Sequence, residues 1–131
     1  MKLVVVIGDK SFLKFKPTIR KVAGFLAKKL KQEKAYLEVY LVGKEFMNKN
    51  VLAFPTPKSF PRPDINRKPL GEIYLNPDYI KKEHLYLLEI SNLKLDITAK
   101  LSYMFIHGFL HLLGYNHKRR NDRIRMEKKE T

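Results

Sequence analysis

The chain has 131 residues, 44% of them hydrophobic and none of them cysteine, and its 27 lysines and arginines against 13 acids give a formal charge of +14. That length fits one domain over residues 1–131 with room for a real core. The absence of thiols excludes disulfides, zinc ribbons, iron–sulfur sites and a cysteine nucleophile. The charge favours a polyanionic partner, nucleic acid first, since heat adaptation alone would raise glutamate alongside lysine.

In chain order, "LVVVIG" (Leu3 to Gly8) is β-branched and apolar and predicts a buried strand. It is too short for a signal-peptide core. Pro17 opens a helical pattern in which Ile19, Val22, Ala23, Leu26 and Leu30 form one stripe among lysines. From Ala35 to Val42, Leu37, Val39 and Leu41 alternate with Tyr36, Glu38 and Tyr40, which predicts a strand. "NVLAFP" predicts a short strand stopped by Pro55. Residues 55 to 69 hold five of the seven prolines and predict a long basic loop, neither helix nor central strand. "LGEIYL" (Leu70 to Leu75) returns to strand, and "NPDYI" starts a helix with Asn76 as its cap.

The last strong helix begins at Asp96 and repeats Ile97, Leu101, Met104, Phe105 and Leu112 at helical spacing, with Gly114 as its stop. The greasy run from Leu101 to Tyr115 falls short of the roughly 20 residues that span a bilayer. The chain therefore reads as soluble and cytoplasmic, with no membrane association.

Three of the four histidines lie in "HGFLHLLGYNH", residues 107 to 117. His107 and His111, four apart on a helix, emerge on one face and can share a metal ion. Were the helix to continue, His117 would stand about 15 Å up the axis from His107. A chain reversal at Gly114 lets it fold back and complete a triangle. Three imidazoles leave a fourth position open, the arrangement of a catalytic rather than a structural site, in which bound water has its pKa lowered toward about 7. Zinc is the default for such a set, though imidazole also suits nickel, copper and iron. The competing reading is three core histidines without a metal. The skeleton H-x-x-x-H-x-x-G-x-x-H is also that of the metzincin proteases, whose general base follows the first histidine. Here that residue is Gly108, which has no group to take a proton, so a protease of that mechanism is disfavoured.

"HGFLHLLGYNH" closely resembles the H-G-x-L-H-L-x-G-Y-D-H signature of the YbeY family of bacterial metal-dependent endoribonucleases, tied to ribosomal RNA maturation and ribosome quality control. "NVLAFP" resembles the family's D-V-L-S-F-P, "LGEI" (Leu70 to Ile73) its L-G-D-I, and "MEKKE" its closing M-x-x-x-E. Together these span residue 35 to the C-terminus. The resemblance implies an α+β fold, with a small mixed sheet, packed helices and a metzincin-like metal-binding helix. It implies His107, His111 and His117 as ligands of one zinc ion, RNA, ribosomal in particular, as substrate, and a metal-dependent hydrolase over residues 1–131.

Three departures stand out. Asn116 replaces an aspartate that could orient a ligand ring. No arginine lies between Val22 and Phe60, where the family carries one thought to handle the phosphodiester, so Lys44 is the nearest candidate phosphate stabiliser, with Lys49 behind it. Lysine neutralises phosphate but lacks the planar fork of arginine. Glu72 stands for aspartate. A basic RNA- or ribosome-binding protein with a structural metal is the alternative of another class. The loop cations Lys58, Arg62, Arg67 and Lys68 around Phe60, and the tail cations Lys118, Arg119, Arg120, Arg123 and Arg125, are the expected RNA path. His84 reads as an ordinary surface residue.

Overall fold

A computed structural model describes residues 1–57, 67–82 and 96–114. In order they form β1 (Lys2–Ile7), a 3-10 turn (Lys10–Phe15), α1 (Lys16–Lys29), β2 (Ala35–Leu41), β3 (Val51–Pro55), β4 (Lys68–Leu75), α2 (Pro77–Lys81) and α3 (Ile97–Leu112). The strands make one mixed sheet in the order β1-β2-β4-β3. β1 and β4 run parallel to β2, and β3 runs antiparallel to β4. The architecture is α+β, as the sequence implied.

The alternation in β2 sorts its residues by face. Leu37, Val39 and Leu41 are fully buried, while Tyr36, Glu38 and Tyr40 are half-buried on the other side. Ile73 and Leu75 of β4 join the buried set, and Ile19, Ala23 and Leu26 of α1 and Leu101, Phe105 and Phe109 of α3 pack into the same cluster. Each such side chain contributes roughly 1.5–3 kcal/mol by leaving water. The helices therefore cover one face of the sheet.

Two readings of the sequence are corrected. The β1 run is uniformly apolar, which predicted a buried strand, but β1 is an edge among the described strands and its Val6 is 41% exposed. The predicted loop over residues 55 to 69 ends early, because Lys68 and Pro69 belong to β4, an interior strand. Proline is tolerated there because the β3 ladder ends with Pro55 opposite Gly71. Among the described strands Pro69 is thus paired with β2 alone, which is locally an edge position. A register shift opposite Tyr36 and Leu37 accommodates the change.

On the other face of the sheet the Tyr40 and Tyr74 rings stack at 4.7 Å. Their hydroxyls donate to Glu38 (3.0 Å) and Glu72 (2.7 Å) on their own strands. Burial, then the hydrogen bond to Glu38, pushes the Tyr40 phenol up to about 12. The bond to Glu72, then burial, does the same for Tyr74. A folded state that holds these protons more tightly than the unfolded chain gains stability that is fully present below pH about 10. That gain is lost as pH rises from about 10 to about 12. Ultraviolet titration of the seven tyrosines should therefore show two ionising near pH 12. Ionisation of all seven near pH 10 would mean that these bonds do not persist in solution.

Candidate metal centre

α3 begins where the sequence indicated. The Asp96 carboxylate accepts from the Ala99 N–H at 2.8 Å, satisfying one of the free donors of the first turn. Leu101, Met104, Phe105, Phe109 and Leu112 turn into the core. The helix closes at Leu113, where Gly114 adopts φ +99° and its N–H donates to the His111 carbonyl at 3.0 Å. This is the left-handed stop that the glycine predicted.

Gly108 has a packing role that the sequence did not disclose. It is buried, and a Cβ built on it would lie 3.2 Å from Ile73 Cγ2 and 3.3 Å from Val51 Cγ2. The lack of a side chain lets α3 lie close across β3 and β4. The feature that argued against a protease base is thus also a point of close contact between helix and sheet.

His107 and His111 flank that contact and are both half-buried. Their Nε2 atoms are 3.1 Å apart, with ring centroids at 4.6 Å and planes inclined by 66°. Two nitrogens bound tetrahedrally to one ion at about 2.0–2.1 Å would be separated by about 3.3 Å. The two rings are thus within a few tenths of an ångström of chelating geometry. In the metal-free pair one Nε2–H can donate to the other Nε2. Coordination requires both nitrogens deprotonated at that position, so metal uptake releases any proton held there. Among the described residues no set of three or more His, Cys, Asp or Glu converges. His117, the expected third ligand, lies outside the described residues, as do Asn116, His84, the tail cations, Lys58, Phe60 and Arg62.

Lys44 is exposed on the turn after β2, where the Phe46 N–H donates to the Gly43 carbonyl at 3.0 Å. No hydrogen bond or ion pair among the described residues joins it to the histidines. Arg67 serves the fold, its guanidinium donating to the Glu33 carbonyl at 3.2 Å. Glu72 points to the sheet face away from α3, bonded to Tyr74.

The residue that sequence reasoning undervalued is Asn76. It is fully buried, and it does more than cap α2. Its Oδ1 accepts from the Asp78 and Tyr79 N–H groups, its Nδ2 donates to the Met47 carbonyl at 3.1 Å, and its N–H donates to the Asn50 carbonyl at 3.0 Å. One side chain thus pins the segment that carries Lys44 and Lys49 to the start of α2. The Asn-Pro pair signalled the cap, but nothing in the sequence signalled the long-range bond. Asn76→Ala is expected to destabilise the fold by about 1–3 kcal/mol through the lost cap and the unpaired Met47 carbonyl. Chemical denaturation measures this, and a change within error of zero would contradict the role.

The sequence model of the family described as Endoribonuclease YbeY matches residues 10–131. The chain belongs to the YbeY family. The match reaches further toward the N-terminus than the motifs that first indicated it. An Endoribonuclease YbeY of Neorickettsia sennetsu is 31% identical over 109 residues, covering 77% of this chain and 72% of the relative. One from Wolbachia sp. subsp. Drosophila simulans is 37% identical over 82 residues, covering 62% and 47%. One from Pelagibacter ubique is 36% identical over 94 residues, covering 68% and 56%. Against the latter two, this YbeY-family chain spans about half the length of the curated relatives it matches. Among the described residues no helix is long and apolar enough to cross a membrane.

Proposed function

We propose that this chain is a metal-dependent endoribonuclease of the cytoplasm that acts on RNA, ribosomal RNA in particular. One divalent ion, zinc by the all-imidazole donor set, would be held by His107, His111 and His117. The observation that carries this reading is the facing pair of Nε2 atoms at 3.1 Å on one side of α3, followed by a left-handed helix stop at Gly114, three positions before His117. The name that the relatives carry, Endoribonuclease YbeY, supports the substrate class, and so does a formal charge of +14.

When bound, the ion supplies Lewis acidity to a phosphoryl oxygen and lowers the pKa of water. The chain's own part is to hold two rings rigidly. α3 is fixed by its apolar stripe and by the close approach at Gly108, so the ligand nitrogens are set before any ion arrives. Lys44, on its turn pinned by Asn76, is assigned to neutralise phosphate charge. The test is cleavage of a structured ribosomal RNA fragment by the purified chain, with chelator added and zinc then restored. Cleavage that stops and returns is expected. Cleavage unaffected by complete metal removal would overturn the reading.

A further inference from the structure

The segment from Lys10 to Lys34 holds nine lysines and arginines and one acid, Glu33. All nine cations are exposed except Lys16, which is half-buried. α1 accounts for the outward turn of those it carries. Ile19, Ala23, Leu26 and Ala27 face the core, so helical periodicity turns Arg20, Lys21, Gly24, Phe25 and Lys28 outward.

Two further features separate this face from an ordinary solvated one. Phe25 is 64% exposed among the cations, a large apolar ring with its surface in water. Gly24 sits mid-helix, where glycine costs about 1 kcal/mol relative to alanine, and a Cβ there would meet nothing within 4 Å. No packing constraint among the described residues calls for it. Its bare backbone instead floors a cleft of about 380 Å³ between α1 and β1, with Arg20 and Lys28 one turn to either side. Those two cations are separated by about 12 Å of helix axis, at ~1.5 Å per residue.

We propose that this outward face of α1 is an RNA-docking surface, with Arg20, Lys21 and Lys28 holding phosphates and Phe25 stacking a base. The proposal rests on the RNA-cleaving reading above and places part of the substrate apart from the metal. α1 packs against α3, the helix that carries His107 and His111, on the same sheet face. The charge of the occupant follows from the surface. A phosphodiester chain complements the exposed Arg20, Lys21, Lys28 and Lys29, and stacking on an aromatic ring suits any base.

The test is equilibrium binding of a short single-stranded RNA to the full chain in chelator, which stops cleavage, as a function of salt. Arg20→Gln, Lys21→Gln and Lys28→Gln together should lower the log–log salt slope by about 2, at roughly 0.7 for each phosphate no longer neutralised. Phe25→Ala should weaken binding by roughly tenfold without lowering the melting temperature. Lys2→Gln, Lys81→Gln and Lys82→Gln remove the same charge elsewhere, at exposed positions, and should leave the slope nearly unchanged. An unaltered slope in the α1 triple variant, or an equal drop in the control, overturns the surface while leaving the nuclease reading intact. Binding to anionic lipid vesicles but not to RNA overturns both.

Discussion

His111→Ala is expected to lose the bound ion and to slow RNA cleavage by about a thousandfold, with the fold retained. The ring contributes one of two nitrogens that face each other 3.1 Å apart, and removing it would leave the proposed three-histidine site with two ligands. The chemistry lost with the ion is several kcal/mol of charge stabilisation in the transition state. At 1.36 kcal/mol per factor of ten, about 4 kcal/mol corresponds to that thousandfold loss. The fold should survive because His111 is only half-buried. The stripe of Leu101, Phe105 and Phe109 that seats α3 is untouched. Metal-free variant and metal-free wild type should therefore melt within a few degrees of each other. Added zinc should raise the melting temperature of the wild type alone, since only a chain that binds the ion gains from it. Wild-type cleavage rates in the variant would remove His111 from the site.

Gly71→Ala is expected to be the most disruptive small substitution in the sheet, at about 3 kcal/mol or more. Gly71 has φ +138°, which L side chains rarely adopt, and a Cβ there would lie 2.2 Å from the Phe54 carbonyl oxygen and 2.8 Å from Pro55 Cα. Both are backbone atoms, so no side-chain rotation relieves the clash. Strain at such a dihedral alone costs of order 1–3 kcal/mol, and displacing the end of β3 adds the loss of its pairing with β4. The effect should spread to the metal centre, because Val51 at the other end of β3 lies under Gly108. Denaturant unfolding gives the loss directly. A loss below about 1 kcal/mol would mean that the β3 ladder yields without cost.

The strands and helices legible in the sequence were those whose burial has a simple period. The alternation of Leu37, Val39 and Leu41 and the spacing of Leu101, Phe105 and Leu112 fall where expected. What misled was local composition overridden by position in the sheet. "LVVVIG" looks buried, yet β1 is an edge, and apolar content cannot tell an edge from a centre. Pro69 argued against a central strand, yet β4 outruns β3 there, and where a neighbouring strand ends is not written in either segment. His107 and His111 were legible because one helical period links them. The bond from Asn76 to Met47 spans 29 residues and was not. The same limit hid Gly108, which reads in sequence only as a missing base but in space is the seat of α3.

The central claim is that three histidines of this chain hold one ion, and metal content per chain tests it most directly. Purified wild type and His117→Ala would be loaded with zinc, exhaustively dialysed and subjected to elemental analysis. One equivalent is expected in the wild type and substantial loss in the variant. A full equivalent retained by His117→Ala would contradict it.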